Sequence, residues 1–331
     1  MILSGIDPQA IEDAARRIRA GELVGFPTET VYGLGADASS DNAVAGIFAA
    51  KGRPSDHPLI VHVASARQVS DYAREVPAFA QRLIDTFWPG PLTVILLRKD
   101  GVAAAAAGGQ NSIGLRCPAH PVALAFLKAC LQLSVSGVAG PSANRFGRVS
   151  PTTAEHVAGE FGDDLLVLEG GPCAVGIESS IVDCTRGRPV LLRPGVLTRE
   201  QLQAACGEPV LDKDDLQTAG QTPRASGTLE AHYAPNAKVR LMDATALQTA
   251  LDLLGAEAAH IAVYARAELH VKSAQVLLRR MPDDALATAQ QLFSVLRSFD
   301  AQGVRLIWVE TLPIDTEWDG VRDRLGRAAA S

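Results

Sequence analysis

The sequence has few of the features that assign a protein class at once. Its five cysteines, Cys117, Cys130, Cys173, Cys184 and Cys206, stand far apart, with no C-x-x-C pair and no histidine at metal-ligand spacing. We therefore expect free thiols in a reducing compartment and no structural zinc. No uninterrupted apolar run reaches the ~20 residues that a membrane span needs, and the N-terminus lacks the apolar core of a signal peptide. These absences predict a cytoplasmic protein with no membrane partner.

Positive charge is also in deficit. The 331 residues include 31 Lys and Arg against 37 Asp and Glu, which gives a formal net charge of -6. Non-specific nucleic-acid binders usually present a strongly basic surface, so any recognition of phosphate here must be local.

Common nucleotide-binding and hydrolase motifs are missing as well. The chain has neither a G-x-x-x-x-G-K-[ST] loop nor a G-x-S-x-G elbow. Residues 33–38 formally fit G-x-G-x-x-G/A, but residues 28–32 separate them from the preceding predicted strand, and the next helix starts only near Asp41. A dinucleotide fingerprint needs a tight strand-to-helix turn, so we reject this match. Nucleotide use would have to rest on another scaffold.

The chain length and a hydrophobic fraction of 47% predict two globular domains. In residues 1–206, helices are expected after Asp7, from Asp41 toward Lys51, and over 65–87, 120–131, 152–160 and 198–206. Strands are expected over 23–26, 59–63, 92–97, 113–115, 133–138, 165–168, 180–183 and 190–193. Their irregular order predicts an α/β domain with a twisted mixed sheet.

Residues 207–235 lack an apolar period and contain Lys213-Asp214-Asp215 and a polar run from Gly220 to Gly227, which predicts an interdomain linker. In residues 236–331, strands near 238–242, 261–265, 276–280 and 305–309 alternate with helices near 244–254 and 283–300. That alternation predicts a small Rossmann-like α/β domain.

Two loops concentrate groups that bind anions. Lys51-Gly52-Arg53 places two cations between a helix end and a strand, where they could grip a triphosphate; a solvated cationic helix end is the alternative. The stretch from Gly140 to Thr152 holds hydroxyl, amide and guanidinium donors, although a turn followed by a helix cap explains part of it.

Single residues add to this pattern. Arg116 follows a predicted strand and could pair bidentately with a carboxylate, or could be an ordinary partnered surface arginine. His62 lies in an apolar strand, where a hydrogen-bonded core histidine is as good an explanation as a functional one.

Taken together, Pro27-Thr28-Glu29-Thr30-Val31-Tyr32-Gly33-Leu34, Lys51-Gly52-Arg53-Pro54 and Pro141-Ser142-Ala143-Asn144 resemble the signature of the YrdC-like family, the threonylcarbamoyl-AMP synthases. The similarity runs through about residues 5–206. His232-Tyr233-Ala234-Pro235, with the C-terminal domain, resembles the long two-domain form. The resemblance implies a YrdC-like twisted mixed sheet domain followed by the small Rossmann-like α/β domain.

The implied reaction converts L-threonine, bicarbonate or CO2 and ATP into threonylcarbamoyl-AMP and pyrophosphate, with Mg²⁺ accompanying ATP. A partner enzyme would then transfer the group to tRNA, giving threonylcarbamoyladenosine. The resemblance implies catalytic roles for Lys51 and Arg53. It implies ATP binding by Lys51, Arg53, His57, Ser112, Ser142, Asn144, Ser150, Arg193 and Tyr233. It implies threonine binding by Thr30, His62, Arg116, Gly140 and Ser179.

Several alternatives stay open at this point. The first alternative is a related enzyme that makes carbamoyl-adenylate in hydrogenase maturation, usually within a larger chain with zinc-finger motifs. The second is a non-catalytic module that makes a weak contact with RNA. The linker, with Tyr233, could cover the nucleotide and exclude water. Metal ligands, oligomeric state and selectivity between threonine and serine do not follow from the sequence.

Overall fold

The computed structural model describes residues 1–212, 223–229 and 231–331. The chain divides into two compact units, Met1–Phe146 with Ser150–Thr228 and Gly147–Val149 with Leu229–Ser331. The described parts of the predicted linker 207–235 are shared between the two units. Its Lys213-Asp214-Asp215 run and residues 220–222 lie outside the described residues.

The first unit is built on a mixed sheet. Its described strands are β1 (Ile2–Ser4), β2 (Val24–Phe26), β3 (Gly33–Asp37), β4 (Ile60–His62), β5 (Leu92–Leu97), β6 (Ser112–Arg116), β7 (Val138–Ala139), β8 (Leu166–Glu169), β9 (Ser180–Asp183), β10 (Val190–Arg193) and β11 (Leu211–Asp212). They form one eleven-stranded sheet in the order β1-β8-β2-β3-β7-β4-β6-β5-β9-β10-β11. β4 pairs parallel with β6 whereas β5 pairs antiparallel with it, so the predicted mixed sheet is confirmed.

The helices of this unit are α1 (Pro8–Arg19), α2 (Asp41–Lys51), α3 (Val69–Tyr72), α4 (Ala78–Phe87), α5 (Pro121–Gln132), α6 (Ala154–Phe161) and α7 (Arg199–Cys206). The first begins as predicted: the Asp7 side chain accepts the amide of Gln9, and Pro8 occupies the first turn. Local capping chemistry therefore sets this boundary.

One strand prediction is wrong. Of the expected strand 133–138, only Val138 lies in a strand, the two-residue β7 (Val138–Ala139). The amide of Leu133 still bonds to the carbonyls of Ala129 and Cys130, and Ser134 has a φ of 65°. A left-handed residue at the end of a helix reverses the chain, so the apolar residues that follow cannot continue as a strand.

Strand β3 was not predicted, and it explains why the near match at residues 33–38 is no dinucleotide loop. Gly33–Asp37 pairs antiparallel with β2 instead of turning into a helix. A Cβ on Gly33 would lie 2.8 Å from the Phe26 ring, so glycine is needed for this close approach. The rejection of that motif is confirmed.

The second unit has a parallel sheet of β12 (Lys238–Met242), β13 (Ile261–Ala265), β14 (Leu277–Arg280) and β15 (Leu306–Glu310) in the order β12-β15-β13-β14. Its helices are α8 (Ala244–Leu254), α9 (Ala285–Ala301) and α10 (Asp319–Ala329), of which α10 was not predicted. The Rossmann-like class is confirmed. Within the described ranges, no helix is both long and apolar enough to span a membrane.

Candidate active site

Lys51 joins two of the sequence motifs. The helix α2 ends at Gly52, whose φ of 65° is left-handed, and Lys51 points from the last turn toward the 142–144 loop. Its Nζ donates to the backbone oxygen of Ser142 at 2.6 Å and to that of Asn144. Burial, and next the charge of Arg53, lower the pKa of Lys51 well below its usual value. The Lys51 side chain therefore connects the end of α2 to the 142–144 loop.

Two guanidinium groups converge on Ser226. Arg53 Nη2 lies 3.4 Å from Ser226 Oγ, and Arg193 Nη1 donates to the Ser226 carbonyl at 2.8 Å. Both arginines are buried. The ring of Phe146 lies 5.7 Å from the Arg53 guanidinium carbon and 5.5 Å from the ring of His57. Part of the predicted linker thus contacts the cations expected to bind ATP.

Open space lies next to this cluster. A small cavity of about 20 Å³ is lined by Pro58, Thr93, Ser112, Ile181, Arg224 and Ser226, among others. A larger cleft of about 710 Å³ also contacts Ser112 and Arg224. Arg224 is held there by an ion pair with Asp56, and its backbone amide donates to Gln110 at 2.8 Å. Only the larger cleft has the volume that a nucleotide-sized ligand needs.

The predicted threonine residues cluster around Arg116, the last residue of β6. Arg116 Nη1 donates to Thr30 Oγ1 at 2.8 Å, and its Nη2 lies 2.7 Å from Glu29 Oε1. The Thr30 loop is itself fixed, because Thr28 Oγ1 accepts the amides of Thr30 and Val31. Arg116 is therefore a buried ion-paired residue, which excludes the surface alternative.

His62 lies opposite Arg116 in the parallel pairing of β4 with β6. A Cβ on Gly140 would lie 3.1 Å from the buried His62 Nδ1, so glycine lets the backbone pass close to this nitrogen. Burial, and then the charge of Arg116, lower the pKa of His62 to about 3. The imidazole is therefore neutral at physiological pH and acts as a hydrogen-bonding group rather than as a cation.

Ser179 joins the two halves of the predicted site. Its Oγ lies 2.8 Å from Thr93 Oγ1 and 3.2 Å from Arg193 Nη2, while its carbonyl accepts from the same guanidinium at 2.9 Å. Nearby in sequence, Glu178 accepts the hydroxyl hydrogen of Ser150. A residue expected to bind threonine thus contacts one expected to bind ATP.

Tyr233, the remaining predicted ATP-binding residue, belongs to the second unit. It has a φ of 62°, and its ring stacks on Phe293 with centroids 5.4 Å apart. The Arg324 guanidinium lies 5.4 Å from the same ring. The predicted contact between Tyr233 and ATP stays a prediction.

Sequence reasoning passed over three side chains that the structure places among these residues: Glu29, Glu178 and Ser226. Glu29 and Ser226 stand inside segments already noted for other residues. Their signal was a charge or hydroxyl directly beside a predicted ligand-binding residue, but nothing in a sequence shows which neighbour turns toward the site.

Fold and site together define a class: an α/β protein whose buried cations, hydroxyls and neutral imidazole converge where an amino acid and a polyanion could lie side by side. The Sua5/YciO/YrdC family model, described as telomere recombination, matches residues 16–195, and the model of the threonylcarbamoyl-AMP synthase C-terminal domain matches residues 197–330. The chain belongs to the threonylcarbamoyl-AMP synthase family, as its motifs predicted.

Individual relatives agree with this placement. The chain is 38% identical to threonylcarbamoyl-AMP synthase of Bacillus subtilis, over 99% of this chain and 94% of the relative. It is 44% identical to that of Pyrococcus abyssi, over 72% of this chain and 69% of the relative. The structure of P. abyssi Sua5 complexed with L-threonine superposes with a TM-score of 0.88 at 36% identity, covering 99% of this chain and 97% of that one.

Proposed function

We propose that this protein is an L-threonylcarbamoyladenylate synthase, a nucleotidyltransferase that forms threonylcarbamoyl-AMP and pyrophosphate from L-threonine, bicarbonate or CO2 and ATP. The contact that best supports the proposal is the one between Ser179 and Arg193, since it joins the amino-acid side of the site to the triphosphate side. The L-threonine complex of the P. abyssi relative supports threonine as the amino acid.

The reaction brings two anions together, because the carbamate of threonine must attack the α-phosphorus of ATP while pyrophosphate leaves. Arg53 and Arg193 would offset the repulsion and stabilise charge on the leaving group. The ATP phosphates would have to replace Ser226 as the hydrogen-bond partner of these two arginines. Lys51, by fixing the Ser142–Asn144 loop, would align the nucleotide, and alignment supplies much of the acceleration in such transfers.

We also propose Mg²⁺ as the ion that enters with ATP. The residues that the structure describes contain no cluster of three or more His, Cys, Asp or Glu side chains suited to a metal. Mg²⁺ usually keeps several waters and takes phosphate oxygens with one or two carboxylates, and the site offers the Glu178 carboxylate and the Ser150 hydroxyl. Such a cation would neutralise part of the phosphate charge.

A pyrophosphate-release assay tests the function. We expect release from ATP and bicarbonate only when L-threonine is present. Threonine-independent release would indicate the carbamoyl-adenylate reaction instead, and no release under either condition would leave a binding module. The product would pass to a separate tRNA-modifying enzyme.

Two substitutions separate the halves of the site. Lys51→Ala should mainly weaken ATP use, whereas Arg116→Ala should mainly raise the KM for threonine, each by about 10-fold or more because a charge-assisted contact is lost. Arg16→Ala is the matched control, since Arg16 is an exposed arginine on α1 that pairs with Glu12. Equal, small effects of the first two substitutions would contradict the proposed arrangement.

A further inference from the structure

The ring of Phe146 contacts two residues that are predicted to bind ATP. The Arg53 guanidinium carbon lies over this ring, 5.7 Å from its centre, which is the spacing of a cation–π contact. The His57 ring meets the same ring edge-on, with centroids 5.5 Å apart and an angle of 68° between the planes. Phe146, which was not among the predicted site residues, is therefore placed to control the position of residues that were.

The backbone of Phe146 connects the two anion-binding loops. Its amide donates to the Lys51 carbonyl at 2.9 Å. In the opposite direction, Lys51 Nζ donates to the carbonyls of Ser142 and Asn144. Reciprocal hydrogen bonds thus join the end of α2 to the loop that carries Phe146, and they fix the point from which the aromatic ring extends.

An aromatic ring can hold Arg53 without adding a competing negative charge. Near β6, a carboxylate does the holding, because Glu29 pairs with the buried Arg116. A carboxylate beside Arg53 would repel a triphosphate, whereas the face of a ring attracts a guanidinium through its quadrupole and carries no net charge. The Pro58 carbonyl, which accepts from Arg53 Nη2 at 2.9 Å, is also neutral. Both contacts fix the guanidinium and leave its charge available to an anion.

We infer that Phe146 is a positioning residue, whose ring holds the Arg53 guanidinium where ATP phosphates can replace Ser226. The inference rests on the proposed function, in which Arg53 binds the triphosphate. In this role Phe146 acts through Arg53 and not on the reacting atoms. A guanidinium released from the ring spends part of its time in other orientations, and the apparent affinity for ATP falls with the fraction of molecules that are competent to bind.

Fluorination of this one ring tests the role, because fluorine withdraws electron density from the ring face with little change in ring size. Phe146 is replaced by 4-fluoro-, 3,5-difluoro- and 3,4,5-trifluorophenylalanine, and the binding of ATP with Mg²⁺ is measured by calorimetry without threonine. We expect the affinity to fall stepwise, by about 2- to 30-fold in total, the equilibrium factor of one cation–π contact. In the pyrophosphate assay, kcat/KM for ATP should fall in parallel, whereas the KM for threonine should stay within about twofold.

Two controls separate this contact from a general effect of fluorine. The same derivatives at Phe161 are the matched control, because this partly buried ring lies 5.4 Å from the guanidinium carbon of Arg145, an exposed arginine with no predicted role in ATP binding. Fluorination there should leave ATP affinity unchanged. In Arg53→Ala, trifluorination of Phe146 should have no further effect on ATP binding, since the cation on which the ring acts is absent.

The outcomes are distinguishable. An ATP affinity that stays within about 1.5-fold of wild type across the Phe146 series would overturn the inference and leave the proposed function in place, as would a loss that persists in full in Arg53→Ala. If a fluorinated protein does not fold, Phe146→Leu and Phe146→Tyr decide by the same measurement: only the leucine variant should bind ATP more weakly, and equal affinities would overturn the inference. A wild type that binds no ATP would contradict the proposed function itself.

Discussion

The neutral state of buried His62 predicts a specific loss of stability in acid. Its pKa falls from 6.5 in an exposed chain to about 3 in the folded protein, because burial and the charge of Arg116 disfavour the imidazolium. A base with a lowered folded-state pKa binds fewer protons when native than when unfolded. The contribution of His62 to stability is therefore fully present above pH 6.5 and is lost as the pH falls toward 3.

The size of the effect follows from those two pKa values. Each pKa unit corresponds to about 1.36 kcal/mol, so protonation of the unfolded chain alone should cost the native state about 2 kcal/mol between pH 7 and pH 5. The whole window of about 3.5 units sets an upper limit of about 5 kcal/mol. His62→Gln, which cannot titrate, should lack this component.

Urea unfolding of the full chain at pH 7 and pH 5 measures the contribution of His62 to the free energy of unfolding. The three tryptophans are Trp88 in the first unit and Trp308 and Trp318 in the second. With the latter two replaced by phenylalanine in every protein, the fluorescence of Trp88 reports the unit that contains His62. His57→Gln is the control. Because His57 is only partly buried, its replacement should reduce the stability difference between pH 7 and pH 5 by less than the replacement of His62 does. An unchanged difference between pH 7 and pH 5 in His62→Gln would refute the reasoning.

Two further substitutions test the contacts that shape each unit. Lys51→Met should destabilise the first unit by about 2–4 kcal/mol, because the carbonyls of Ser142 and Asn144 both lose their hydrogen-bond donor. Trp88 fluorescence in urea measures this loss, and a change under about 0.5 kcal/mol would contradict the bonding described. Asp300→Ala should destabilise the second unit by about 2–3 kcal/mol, because the amides of Asn236 and Ala237 lose their acceptor. Trp308 and Trp318 fluorescence should follow that loss, and an unchanged urea midpoint would show that these amides find another partner.

Much of the fold was predictable because the signals that define it are local. The apolar spacing of α1, its Asp7 cap and the short β-branched runs of β5, β9 and β13 each act over a few residues. Strands such as β1 and β3 were missed because they are short or glycine-rich, so that only pairing with distant strands defines them. The prediction of a strand over 133–138 was wrong because one left-handed residue, Ser134, redirects the chain whatever the apolar pattern around it.

For the active site, the sequence by itself determined the family and the chemical types of the groups, since three spaced motifs supply cations, hydroxyls and an amide in a fixed order. Only the tertiary structure decided which of them are already engaged: Lys51 with two carbonyls, Arg193 with Ser179 and Ser226, and Arg116 with Glu29. The physical reason is that a charge in a buried site takes whichever partner the sheet brings within about 3 Å, and that partner comes from strands and loops far away in the chain.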